Sequence, residues 1–250
     1  MFSLGFLTDG RVTDAAIARS EGYTCLELAL FGESPVHHNW ADFRRSLQNE
    51  GISLAAVSLF GQDYFGPEGV QRMALLEQTL ELAANLGAPL LVFGTGASCP
   101  GPAAALERFA ELREEAATMA MGVAFYNCHW ENVVDRPDAW AQLPEDSGFG
   151  IKFDPSHPIQ GGRDWRPELL ATGKRLVHVH AKEVLRVGDA FLADPNPGLG
   201  DIRWEAFFGI LYHLGFTGAV CVEPHSALYT GEHRERFLRL SKRYLDRFLI

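Results

Sequence analysis

The sequence alternates between two apolar rhythms from one end to the other. Short runs rich in β-branched and apolar residues, "FSLGFL", "TCLELAL", "SLAAVSLF", "PLLVFG", "GVAFYNCH", "GIKFD", "LVHVHAK" and "GAVCVEP", read as strands bounded by Gly, Pro or Asp. Between them lie segments with helical periodicity, such as "VTDAAIARSEG", "NWADFRRSLQNEG" and "PEGVQRMALLEQTLELAANLG". Several of these stop on Gly, and the second starts on an Asn suited to capping a helix. "PAAALERFAELREEAATMAMG" reads as one long helix. Strict strand–helix alternation implies a parallel sheet, because each crossover returns the chain to the same end. Eight units in 250 residues match an α/β fold of the closed (β/α)8 TIM barrel type, a parallel eight-stranded sheet with outer helices. An open doubly wound sheet would carry a Gly-rich phosphate turn after its first strand. "LGFLTDGRVT" has no GxGxxG, and "VFGTGAS" offers only GxG. No linker, repeat or low-complexity tract interrupts the pattern, so residues 1–250 are expected to form a single domain.

Charge narrows the range of partners. Lys plus Arg is 22 and Asp plus Glu is 32, so the formal net charge is −10. A nucleic-acid binder of that charge would need a concentrated basic face. The densest basic run, "HRERFLRLSKRYLDR", mixes signs at helical spacing and reads as a solvated helix face. Four cysteines lack CxxC spacing, which argues against a zinc knuckle or a disulfide framework. "MFSLGFLTDG" is no signal peptide, and no apolar run reaches membrane-spanning length. The expectation is a cytoplasmic protein with neither nucleic-acid nor membrane partners. Apolar stretches such as "FFGILYHLG" leave room for a homodimer.

In an α/β barrel the site lies at the carboxyl ends of the strands. The second strand carries Glu27, the fifth ends with Asn127 and His129, and the sixth ends on Asp154 with His157 beyond it. The seventh carries His178, His180, Lys182 and Glu183, and the eighth carries Glu223 and His225. Each has a plain reading alone: Asp-Pro-Ser is turn chemistry, and a single strand His is commonly a satisfied core residue. The conjunction is what matters. Residues i and i+2 share a strand face, so His178, His180 and Lys182 point the same way. Burying them together is costly unless they are paired or liganded. Asp154, His180 and Glu223 fall at equivalent depths of consecutive strands. Their oxygen and nitrogen atoms suit one divalent ion such as Mn, Mg, Co or Zn.

With these residues in place, "GYTCLELAL", "GVAFYNCHWENVV", "GIKFDPSHP", "LVHVHAKE" and the stretch from Gly198 to His225 resemble the sugar phosphate isomerase/epimerase superfamily of xylose isomerase-like barrels. The resemblance covers nearly the whole chain. It implies one divalent ion held by Asp154, His180 and Glu223. The family's fourth ligand, a Glu on the fifth strand, reads Asn127 here, whose amide oxygen could ligate without carrying charge. The implied chemistry is proton transfer next to a carbonyl of a sugar or polyol, with Glu223 as a base and an enediolate intermediate. Asn127 cannot be a second base. His129, His157 or Glu183 could serve, or one base could do both steps, which favours aldose–ketose isomerisation over epimerisation. The resemblance also implies that His157 holds substrate oxygens and that Arg186 contacts hydroxyls. Lys182, His129 and Glu27 are expected around the substrate, with Trp130 and Phe60 as an apolar wall; for Lys182 a buried salt bridge is the plain alternative. Other readings are a metal-dependent dehydratase of an inosose-type substrate and a non-catalytic sugar-binding barrel. An apurinic-endonuclease-like phosphodiesterase would need more ligands on the middle strands than "SLF" and "VFG" provide.

Overall fold

A computed structural model describes residues 2–32, 39–129, 132–225 and 231–250. Seven strands follow in sequence: β1 (Ser3–Thr8), β2 (Cys25–Phe31), β3 (Ser53–Phe60), β4 (Leu90–Phe93), β5 (Gly122–Tyr126), β6 (Phe149–Phe153) and β7 (Leu176–Ala181). After a short antiparallel hairpin, β8 (Leu185–Val187) and β9 (Ala190–Ala193), comes β10 (Ala219–Val222). Strands β1 to β7 and β10 pair in parallel, and β10 closes the ring by lying between β7 and β1. This is the expected (β/α)8 barrel. The outer helices are α1 (Asp14–Glu21), α2 (Trp40–Glu50), α3 (Gly69–Leu86), α4 (Pro102–Arg108), α5 (Ala110–Thr118), α6 (Pro137–Trp140), α7 (Ser156–Gln160), α8 (Trp165–Thr172), α9 (Trp204–His213) and α10 (Arg234–Leu245). Among the described residues no helix is long and apolar enough to cross a membrane.

Local signals account for the helix ends. Asn39 caps α2 by accepting from the Asp42 amide, and α2 stops at Gly51 with φ 64°. α3 stops at Gly87 with φ 78° in the same left-handed conformation, which glycine adopts without steric cost. The single helix expected over residues 102–122 is instead two, broken at Phe109. That ring is fully buried against Tyr64, Phe93 and Phe125, and this packing outweighs helical continuity.

Strand parity divides the chain into two environments. Outward residues such as Leu28, Leu59, Phe93, Phe125, Phe153 and Val179 join the main core beneath the helices. Each contributes about 1.5–3 kcal/mol by burial. Many inward residues are small or polar: Cys25, Ala56, Ala124, Ala219 and Cys221 line the barrel's inner clusters, with Leu7, Leu90, Val92 and Tyr126 as larger members. Gly5 faces the two thiols, where a Cβ would lie 2.7 Å from Cys25 Sγ and 2.9 Å from Cys221 Sγ. The cysteines act as compact filler and leave the barrel axis to charged groups.

The ends of the chain are stapled together. Arg234 on α10 donates to both Asp14 oxygens at 2.7 Å, and Thr8 Oγ1 donates to Asp14 at 2.5 Å. The apolar face of α9 expected to be exposed in "FFGILYHLG" is covered: Phe207, Phe208 and Leu211 are buried within the chain's own core, Phe208 against Phe2 and Phe248.

Candidate active site

Inward parity on β2, β3 and β7 assembles a chain of polar groups along the barrel axis. Ser58 Oγ donates to Glu27 Oε1 at 2.6 Å. His178 Nε2 lies 2.6 Å from Glu27 Oε2, and His180 Nε2 lies 2.8 Å from both Glu27 oxygens. On its other side His180 Nδ1 lies 2.7 Å from Glu223 Oε2 at the end of β10. Glu27 therefore fixes the orientation of the His180 ring and directs Nδ1 to the mouth. Burial alone would raise the Glu27 carboxyl, but His180 and His178 together hold it well below the usual carboxylate range. Burial opposes a charge on His180, yet Glu27 and Glu223 outweigh it and raise its pKa. His178, for which burial dominates, is lowered.

Asp154 enters the mouth immediately after β6. Its Oδ1 accepts from the Ser156 amide at 2.8 Å, which turns the chain into α7. Its Oδ2 is buried and makes no hydrogen bond among the described residues. The basic nitrogens near it are Lys152 Nζ at 3.9 Å and His157 Nε2 at 3.6 Å. Burial would raise the Asp154 carboxyl, but His157, Lys152 and Lys182 lower it. Burial also pushes His157 down to about 3, so at neutral pH the two lysines hold Asp154 ionised. Glu223 is likewise held well below its ordinary value: burial acts against this, and Lys182 and His180 outweigh it.

Asp154, His180 and Glu223 each offer a ligand atom within 4.8 Å of the others. This donor set fits a divalent ion. The orphaned Asp154 oxygen is the kind of buried polar atom that an ion would satisfy, and the Glu27–His180 contact is the carboxylate–histidine support typical of metal-binding imidazoles.

The remaining expected residues are distributed differently. Asn127 lies just past β5, and its amide pairs with backbone: Oδ1 accepts from Asp154 N at 2.9 Å and Nδ2 donates to Asp154 O at 3.0 Å. This ties the β5 and β6 ends together. The residue of β5 that packs on the inner side is Tyr126, one position earlier. Glu183 is not in the mouth. Its carboxylate accepts from the Val184, Gly198 and Ile202 amides and from Trp204 Nε1 at 2.8–3.1 Å, so it anchors the loop leading to α9. Gly200 is required there, because a Cβ would lie 2.3 Å from Val184 O. Arg186 sits on the β8–β9 hairpin, donates to the Ile159 and Asp189 carbonyls, and lines a separate outer cavity. His129 faces the edge of His157 with ring centroids 6.1 Å apart and borders a neighbouring cavity. Its pKa is lowered by burial and by Arg163. Trp130 lies outside the described residues.

Four contributors were not foreseen: Lys152, Tyr126, Ser58 and Phe31. The signal for Lys152 was available, since it precedes Asp154 by two residues and shares its face. Lys152 and Lys182 line a cavity of about 200 Å³ with His157, Glu223, Tyr126 and Phe60. Phe31 stacks on Phe60 at 5.2 Å and forms its aromatic wall. An adjoining cavity of about 270 Å³ shares Phe31, Glu223 and His225.

The sequence model of the xylose isomerase-like TIM barrel family matches residues 15–246. The chain belongs to this family. No curated protein matches the sequence significantly. Among solved structures, it superposes on a xylose isomerase domain protein from Planctomyces limnophilus with a TM-score of 0.80 at 17% identity, covering 99% of this chain and 97% of that one. A D-allulose 3-epimerase from Methylomonas sp. in complex with D-allulose gives 0.79 at 18%, covering 99% and 97%. A 3-keto-D-glucoside 4-epimerase from E. coli gives 0.78 at 14%, covering 99% and 100%. At these identities the likeness establishes the shared barrel.

Proposed function

We propose that this xylose isomerase-like barrel is a divalent-metal-dependent isomerase or epimerase of a small polyhydroxy carbonyl compound, a sugar or polyol derivative. The observation that carries this reading is the meeting of Asp154, His180 and Glu223 at the barrel mouth, with one buried Asp154 oxygen left without a hydrogen bond. The epimerases among the structural neighbours agree with it. A divalent ion held by these three residues, Mn, Mg, Co or Zn, would polarise the substrate carbonyl and stabilise the enediolate.

The protein's own groups supply the rest. Glu223 is the proton acceptor. Its Oε2 is engaged by His180, while Oε1 faces the cavity near Lys182 at 3.7 Å and His225 at 3.9 Å. Lys182 and His180 keep it ionised, so it is available to accept a proton at neutral pH. His157, neutral at physiological pH, can orient substrate oxygens as a hydrogen-bond partner. Phe31, Phe60 and Tyr126 give the cavity an aromatic wall against which the carbon skeleton of a substrate can pack.

Tyr126 occupies the inner position at the end of β5, and among the described residues no carboxylate from that strand faces Glu223. A single base favours transfer between adjacent carbons on one face, which is aldose–ketose isomerisation. The same base would serve a dehydratase, which differs in releasing water. Among the described residues the two possible three-residue metal groups both include His180, which gives no support to a multi-metal phosphodiesterase.

The test is solvent exchange. A panel of ketoses, aldoses, keto-polyols and hydroxy-keto acids is incubated in D2O with each divalent ion and followed by proton NMR. Deuterium should enter at the carbon beside the carbonyl of at least one compound, and Glu223→Gln should abolish this while the variant still melts cooperatively. Binding without exchange across the panel would leave a non-catalytic sugar-binding barrel.

A further inference from the structure

The mouth cavity contains two ammonium groups that its protein partners do not use up. Lys152 and Lys182 are both buried, each with a side-chain exposure of 2%. Neither Nζ makes a hydrogen bond among the described residues. Each approaches one carboxylate at ion-pair distance only, Lys152 to Asp154 at 3.9 Å and Lys182 to Glu223 at 3.7 Å. A buried ammonium carries three donors, and leaving them without acceptors is costly. Both side chains line the same cavity of about 200 Å³.

The charge balance points the same way. In the cavity wall Asp154 and Glu223 offset Lys152 and Lys182, one for one. Glu27 is engaged by His178 and His180 behind the wall. Any divalent cation held by Asp154, His180 and Glu223 would add positive charge to this wall. A carboxylate would offset that charge and accept from both ammonium groups, whereas a neutral ligand would offer the lysines only weaker acceptors.

We propose that the substrate of this pocket is an anion, a small hydroxy- or keto-carboxylate whose carboxylate sits between Lys152 and Lys182. The proposal rests on the isomerase reading in taking the mouth cavity as the substrate site and in the charge that a divalent ion would add there. Placement favours a carboxylate over a phosphoryl group. The two lysines stand beside Asp154 and Glu223, so the anionic group lies next to the reacting carbons and not at the far end of an extended substrate. The cavity is also smaller than the roughly 300–1,000 Å³ of pockets for drug-sized ligands. Phe31, Phe60 and Tyr126 cover it with apolar surface, which strengthens charge-assisted hydrogen bonds inside.

The test compares three four-carbon probes by calorimetry, on the protein as purified and again after dialysis against EDTA: D-threonate, threitol and D-erythrose 4-phosphate. Threonate should bind at least about tenfold more tightly than threitol in both preparations, since a charge-assisted pair is worth more than a neutral one. Lys152→Met and Lys182→Met should each remove most of that preference. Threitol binding as tightly as threonate, or no threonate binding at 10-millimolar order of concentration, overturns the proposal. Tighter binding of erythrose 4-phosphate overturns the carboxylate assignment. If a Met variant fails to fold, the wild-type comparison still decides. A threonate preference without deuterium exchange in any substrate would retain this inference and remove the isomerase reading. Exchange in a neutral ketose without a threonate preference would do the reverse.

Discussion

Replacing Glu27 by Gln keeps the side-chain volume and removes one charge from the barrel axis. The Glu27 carboxylate faces Ser58, His178 and His180 at 2.6–2.8 Å, with no exposure to solvent. An amide offers one oxygen and one NH2 group, so at least one imidazole would face a donor in place of an acceptor. Breaking a buried ion pair from one side costs about 3–5 kcal/mol. For a chain of this size each kcal/mol corresponds to about 2–4 °C in Tm, so Glu27→Gln should melt roughly 6–20 °C lower. The pH dependence gives a second readout. Glu27 is lowered on folding, so its contribution is present above the unfolded value of about 4.3 and is lost as pH falls through the folded one. His180 is raised, so its contribution is complete below the unfolded value of about 6.5 and is lost as pH rises through the folded one. The pair is therefore strongest between about pH 5 and 6.5, and the deficit of the variant should shrink toward pH 9. Scanning calorimetry of both proteins at pH 6 and pH 9 measures this. A fall of less than about 2 °C at pH 6, or a deficit that grows with pH, would refute the electrostatic account of the axis.

A divalent ion at about a hundred times its Kd should stabilise the protein by about 2.7 kcal/mol, or roughly 5–11 °C, and Asp154→Asn should cancel the shift. An equal shift in that variant would place the ion elsewhere. His157 is held neutral by burial, at about 3, so its contribution is present above about pH 6.5 and is lost as pH falls toward 3. Between pH 6 and pH 4 this amounts to about 2–3 kcal/mol in urea unfolding, and His157→Gln should lack that part of the decline. Trp204→Phe removes one of the four donors to Glu183 and should cost about 1.5–3 kcal/mol while leaving proton exchange intact. Loss of exchange with unchanged Tm would return Glu183 to the chemistry.

The barrel was legible because alternation and Gly stops are local signals, and each of the eight barrel strands carries its own. The Asp154, His180 and Glu223 convergence was legible for a related reason: all three lie at strand ends of the same parity. Parity fails where the strand boundary is misread. "GVAFYNCH" reads as one run to His129, but β5 ends at Tyr126, so the inner position belongs to Tyr126 and Asn127 turns to the Asp154 backbone. Glu183 looked catalytic beside His180. Its partners, Gly198, Ile202 and Trp204, come from a loop 15 to 21 residues away, and no periodicity reports such a contact. The β8–β9 hairpin was hidden in the same stretch, where an apolar strand leads directly into short, mixed segments.

The two faces of the strands divide the work unevenly. The outward face holds the fold through large apolar side chains, each worth its burial independently of the others. The inward face offers less apolar packing: beside Leu7, Leu90, Val92 and Tyr126, the residues Gly5, Ala56, Ala124, Cys25 and Cys221 are small, and Glu27, His178, His180, Lys152 and Lys182 are buried there. Stability on that side comes from mutual charge compensation: Asp154 faces Lys152 of its own strand, Glu223 faces His180 and Lys182 of the adjacent β7, and Glu27 reaches across the barrel to His178 and His180. Such compensation is not additive, because removing one member strands its partner in a medium that solvates it poorly. Inward substitutions should therefore lower stability and chemistry together, whereas outward truncations such as Leu59→Ala should lower stability alone. A set of inward variants that lost exchange while keeping wild-type Tm would show that the axis is not held together by its charges.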